Sequence, residues 1–170
     1  MSGLLGPLAK LFCFRGSLEP LRDSLALAIG IAAICIVLSQ VAAFGPATIW
    51  NVLFSAMVSA LFMIAVPWSI LRASGRDALV NKTLLALSGT DLASIVLMMP
   101  GFHFFPYDEQ NPSPSVMLPV LLWLLAVLFW GLAVKIRIWM HAISRSAVVC
   151  LFLVLILSAS EFAVMYFLPV

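Results

Sequence analysis

Two carboxylates stand where a charge is expensive. Asp91 lies within Ser88-Gly89-Thr90-Asp91-Leu92-Ala93-Ser94, near the middle of an apolar stretch from about Leu79 to Met99. Glu161 follows Ser158 and Ser160 in the later half of a stretch from about Ala147 to Leu168. Placing an ionised side chain at such depth in a bilayer costs at least about 2.5–3.5 kcal/mol on insertion scales. Both are therefore expected to face protein or a water-filled cavity. Two chemistries fit them. They belong to a proton, cation or substrate path, or they are hydrogen-bonding groups between helices, with Gln40 and nearby hydroxyls as partners. The basic residues all fall toward segment ends, so no basic partner for Asp91 is expected within the membrane.

Other reactive side chains form weaker patterns. His103, Asp108 and Glu109 share the segment Gly101–Ser115, but one His and two carboxylates in a Pro-rich loop make no recognised ligand set, and no metal is expected. His141 sits near a helix end. The three cysteines (Cys13, Cys35, Cys150) show no metal spacing; two lie in apolar runs, where a small apolar packing role is expected. There is no Gly-rich phosphate loop, no His-Glu-x-x-His helix and no nucleophile elbow. Ser88, Ser94 and Ser158 have no His at similar depth. Segments outside the apolar runs are too short to fold a catalytic domain. Neither a cofactor nor an enzymatic activity is expected.

The elements that position Asp91 and Glu161 follow from composition. Hydrophobic residues make up 64% of the 170-residue chain and charged ones 9%, against about 45–50% and about 25% in soluble domains. So few polar side chains cannot cover a water-exposed surface; the excess apolar side chains must face lipid. A helix crosses a bilayer core with about 20 residues. The expected fold is an all-α integral membrane protein, a bundle of five transmembrane helices over about 25–44, 48–71, 79–99, 117–139 and 147–168. Gly45-Pro46 and Pro100-Gly101 are expected to stop spans one and three, and Pro67 to kink span two. This membrane domain, 23–170, follows a cytoplasmic amphipathic arm, 1–22, with Leu4, Leu5, Leu8, Leu11 and Phe12 at helical spacing. Two forms fit the arm, a surface helix on the inner leaflet or an irregular segment broken at Gly6-Pro7. Leu25–Leu38 with Val41-Ala42-Ala43 resembles a signal peptide, but Glu19 and Asp23 dilute the basic region before it, and an uncleaved span is expected.

Charge sets the expected orientation. Lys10, Arg15 and Arg22 lie in the arm, Arg72, Arg76 and Lys82 around the turn after span two, and Lys135, Arg137 and Arg145 around the turn after span four. Those are all nine basic residues, and they put the N-terminus in the cytoplasm and the C-terminus on the opposite side. Trp50, Trp68, Trp139, Tyr107 and Tyr166 fall near span ends, where amphipathic rings anchor. Trp123 and Trp130 are deeper and fit packing. The basic edge is expected to meet anionic headgroups, with Lys135 and Arg137 snorkelling to them. Small-residue pairs such as Ala26/Gly30, Ala28/Ala32, Ser55/Ser59 and Gly89/Ala93 favour close helix contact. They do not separate packing within the chain from association with a membrane-protein partner or a second copy. A net charge of +2 gives no reason to expect nucleic acid.

A short arm, five spans, a Pro after the third, the Trp-containing run Leu121-Leu-Trp-Leu-Leu-Ala-Val-Leu-Phe-Trp-Gly131-Leu and the turn Ser144-Arg-Ser-Ala147 together resemble the compact bacterial branch of the Yip1 membrane-protein family. The resemblance implies a bacterial inner-membrane bundle. Eukaryotic members use a longer hydrophilic N-terminal region in vesicle trafficking with small GTPases; that region has no counterpart in residues 1–22, and the role does not carry over. Mid-span Asp91 is not a signature of the family. The expected function is a non-enzymatic organiser or partner subunit in the membrane. The alternative is a small oligomeric proton or cation transporter using Asp91 and Glu161. A third expectation, lipid handling at the inner leaflet, rests on the arm and the basic edge.

Overall fold

A computed structural model describes residues 2–13, 15–21, 23–43, 49–103 and 114–167. Side chains are described for all of these except 2–5, 39–43, 49–52, 101–103, 114–116, 162 and 165–167. Arg22, Tyr107, Asp108 and Glu109, and the side chains of Gln40, Trp50, His103 and Tyr166, lie outside that description.

The described residues are helical throughout their regular structure. In chain order the helices are α1 (Ser2–Phe12), α2 (Leu25–Ala43), α3 (Ile49–Ala60), α4 (Val66–Ala73), α5 (Val80–His103), α6 (Pro114–Ile143) and α7 (Ala147–Phe167). A π-helical turn, Leu61–Ala65, joins α3 to α4, and a 3-10 turn, Asp77–Leu79, leads into α5. Among the described residues, three helical stretches are long and apolar enough to cross a membrane: Leu53–Ala73, Asp77–Pro100 and Met117–Ile143. Two shorter apolar stretches, Leu25–Leu38 and Ala147–Glu161, fall where the first and fifth spans are expected.

Helix α5 is the centre of the bundle, packing most extensively against α2 and α6, while α7 packs on α6 and α3. Its sequence explains the position. Ala86, Ser88, Gly89 and Thr90 are small or hydroxyl-bearing, so neighbouring backbones approach closely and each hydroxyl can stay within protein. Leu84, Leu85, Ala86 and Thr90 are fully buried. The Thr90 hydroxyl donates to the Ala86 carbonyl at 2.8 Å. Helix α2 meets this face with Ala28, Ala32 and Cys35, all buried, and the Cys35 thiol donates to the Ser88 carbonyl at 3.3 Å. The other small pair of α2, Ala26/Gly30, faces outward.

Pro67 and Pro100 lie inside described helical runs. Helix α5 runs through Pro100 to His103 instead of stopping. A proline in the last turn removes one donor near the helix end, which membrane helices tolerate because neighbouring groups re-satisfy the freed carbonyl. At Pro67 the hydrogen-bond ladder itself changes. The ring has no N–H and must clear the carbonyl four residues back, that of Met63. The turn before it widens to π geometry, with the Val66 N–H bonded to the Leu61 carbonyl five residues earlier.

The arm is helical through Gly6-Pro7, and Leu8, Leu11 and Phe12 pack on protein. Leu11 is fully buried and Leu8 nearly so. Gly89 leaves room for Leu8 and Phe12, each of which would stand 3.6 Å from a Cβ at that position. The Trp130 indole donates to the Phe12 carbonyl at 3.2 Å, and the two rings meet edge to face at 5.8 Å. The arm is thus wedged against α5 and α6 at the level of Gly89, two residues before Asp91. The chain then turns back at Gly16, where a Cβ would stand 2.9 Å from the Leu11 backbone nitrogen.

Candidate functional site

Four elements converge on one crevice. Helix α5 contributes Asp91, α6 contributes Lys135 and Trp139, α7 contributes Ser158 and Glu161, and Pro67 closes one side. The spacing within each helix explains the convergence: Lys135 and Trp139 are four apart, and Ser158 and Glu161 three apart, so each pair shares a face. The widened turn before Pro67 sets Phe62 and Met63 against the same space. Single π turns within α-helices recur at functional sites, because they re-aim side chains by a fraction of a turn.

The centre of the crevice is an ion pair. Lys135 Nζ lies 2.6 Å from an Asp91 carboxylate oxygen. Asp91 is roughly 16 Å along α5 from Val80, and Lys135 roughly 12 Å from the end of α6 at Ile143. The four-carbon stem of the lysine covers the difference by reaching up into the bundle. This corrects the expectation of no basic partner for Asp91, and the placement of Lys135 at the basic edge. Helix α6 continues to Ile143, four residues beyond the expected end, so Lys135 lies two turns inside it. A signal for this was present in the sequence: Ile136, Ile138, Trp139 and Met140 follow Lys135, so the apolar run does not end there.

The pair is not sealed. The Lys135 and Asp91 side chains retain 29% and 23% of their surface, and the crevice measures about 60 Å³. That is enough room to admit water. Glu161 lines the same space, and among the described residues its carboxylate forms no hydrogen bond or ion pair. With both carboxylates ionised, one lysine faces two negative groups, so the crevice favours a proton or a small cation over an anion. The backbone of Gln40 lies in α2. No group of three or more His, Cys, Asp or Glu able to hold a metal ion occurs among the described residues.

The other described basic residues lie outside this crevice. Lys10 and Arg15 are exposed. Arg72 stacks over the Trp68 ring at 4.9 Å. Lys82 donates to the Glu19 carbonyl at 2.8 Å, and Asn81 donates to Asp23 at 2.6 Å, tying the residues after the arm to the start of α5. Arg76 donates to the Ser144 hydroxyl at 3.1 Å, and Arg145 lines a pocket beside it. Arg137 is partly buried, with an Nε that has no partner among the described residues. Trp123, expected only to pack, also donates its indole N–H to the Leu97 carbonyl at 2.9 Å. Cys35 and Cys150 are buried free thiols, and Cys13 is an exposed one.

These features define a class: an all-helical membrane protein with a charged pair inside its bundle. Comparison with protein-family models, curated proteins and solved structures finds no match for the chain.

Proposed function

We propose that this protein is a non-enzymatic, multi-pass inner-membrane protein of Yip1-like type, with five spans and a cytoplasmic N-terminus, that organises or accompanies a partner in the membrane. The observation that carries this reading is where the polar and apolar groups sit. The Lys135–Asp91 pair is compensated within the chain, between α5 and α6, and so serves to hold the bundle. The outward faces are broad and apolar, with Met57, Phe129, Val148 and Ile156 among the most exposed large side chains. Such faces meet lipid or another membrane helix, not a soluble substrate. Purification of the tagged full chain in gentle detergent, with particle mass and co-purifying proteins determined, tests it. One stoichiometric membrane partner supports the reading; a bare monomer or homo-oligomer counts against it.

A second reading rests on Glu161, a carboxylate in the ion-pair crevice with no partner of its own among the described residues. In that reading Glu161 exchanges a proton or small cation while Asp91 holds Lys135, and an oligomer completes the path. Proton and cation flux in vesicles, wild type against Glu161→Gln, distinguishes the two. Flux lost at unchanged expression favours transport, and absence of flux in the wild type removes it.

A further inference from the structure

The loops that close α4 and α6 meet at the ends of two helices long enough to cross a membrane, and they meet through charge. Both chains leave their helices in the left-handed region: Gly75 at φ 67° and Ser144 at φ 53°. Glycine enters that region without strain, whereas a serine there is strained and must be held by its surroundings. What Ser144 supplies in place of a glycine is a hydroxyl, and that hydroxyl accepts a hydrogen bond from Arg76 Nη2 at 3.1 Å. The strained residue thus fixes the guanidinium of the neighbouring loop.

Arg76 and Ser144, together with Arg145, Ser74, Ala73 and Ile143, line an open surface depression in which all but Ile143 are exposed. No carboxylate is in that lining; Asp77, the next residue after Arg76, begins the 3-10 turn instead. The Ser74 hydroxyl is already used on the Ile70 carbonyl at 2.7 Å. The Arg145 guanidinium makes no hydrogen bond or ion pair among the described residues. The remaining Arg76 donors and the Ser144 hydroxyl proton are likewise open. Two planar guanidinium forks and a hydroxyl, with one fork held in place, match the tetrahedral oxygens of a phosphate group. The helix ends beside them, Ala73 and Ile143, are where a bilayer presents such groups.

We propose that Arg76, Arg145 and Ser144 form a binding site for a single anionic phosphate group, bridging the loops that close α4 and α6. The phosphate belongs to a lipid headgroup or to a phosphate-bearing solute; the chemistry recognised is the same. The site is independent of the function proposed above.

The test uses the purified full chain in two arms. In detergent, native mass spectrometry follows titration with phosphatidylglycerol; in phosphatidylcholine nanodiscs, phosphorus NMR follows titration with inorganic phosphate. One-to-one binding in the first arm alone identifies a headgroup, and in the second alone a solute; either supports the site. In the arm that binds, the Arg76→Gln/Arg145→Gln double variant is expected to weaken affinity by about tenfold or more. Arg72→Gln removes a like charge from a neighbouring turn outside the pocket, and should change affinity by less than about twofold. Ser144→Gly relaxes the backbone and should fold at least as well, yet bind several-fold more weakly because Arg76 is released. The proposal fails if neither arm gives one-to-one binding, if Arg72→Gln weakens binding as much as the double variant, or if Ser144→Gly binds like the wild type.

Discussion

Asp91 and Lys135 define each other. An isolated lysine or aspartate in the bundle would carry the full cost of an uncompensated charge, while the pair costs far less. A sealed pair loses about 3–5 kcal/mol when one partner is removed, and an exposed pair loses about 0–1 kcal/mol. With 29% and 23% of their side-chain surface exposed, these two fall between those limits. Lys135→Met should destabilise the protein by about 1–3 kcal/mol, read as detergent-resistant folded fraction or thermal midpoint. Asp91→Asn should cost a similar amount, because the amide keeps a hydrogen bond but leaves Lys135 charged. The double variant should recover most of the loss. Additive losses would mean that the two residues do not act as a pair.

At the scale of elements, close approach decides how α5 and α6 sit. Gly131 of α6 faces Ser94 of α5, whose hydroxyl would stand 3.0 Å from a Cβ at residue 131. Gly131 is one turn from Lys135 and Ser94 about one turn from Asp91, so this contact sets the helix separation at the ion pair. Gly131→Leu should force the helices apart and destabilise by about 1–3 kcal/mol or more. Gly131→Ala should be nearly neutral, since a gain of about 1 kcal/mol in helix propensity offsets a clash that a hydroxyl can relieve by rotating. Equal effects of the two variants on the unfolding midpoint would refute the close contact. Gly16 differs in kind: a Cβ there meets the Leu11 backbone, which cannot rotate away. Gly16→Ala should therefore unseat the arm, measured as faster labelling of a cysteine placed at Leu11, relative to the same cysteine with Gly16 retained.

For the whole molecule the topology carries the prediction. With five spans and a cytoplasmic N-terminus, reporter fusions after residues 45 and 110 should appear outside, and fusions after 76 and 142 inside. A reversed site would break that proposal. The contacts Arg76–Ser144, Lys82–Glu19 and Asn81–Asp23 agree with one shared end for those segments, since residues on opposite sides of a membrane could not touch.

Composition and hydropathy alone specify the helical class and the positions of the long apolar helices, because burial in lipid demands runs of apolar residues whatever the neighbours are. They also single out Asp91 and Glu161, since a carboxylate inside such a run stands out against its background. Which face of α2 turns inward was not legible, because its residues are apolar all round and small on two faces: Ala28/Ala32 is buried while Ala26/Gly30 is not. The seat of the arm was equally hidden, since leucines that fit a lipid surface fit a groove beside Gly89 just as well. The partnership of Lys135 with Asp91 was decided only by tertiary structure. Forty-four residues separate them in the chain, and a lysine stem near a helix end can snorkel either way. It turns inward here because antiparallel packing of α5 on α6 brings a compensating carboxylate within its reach.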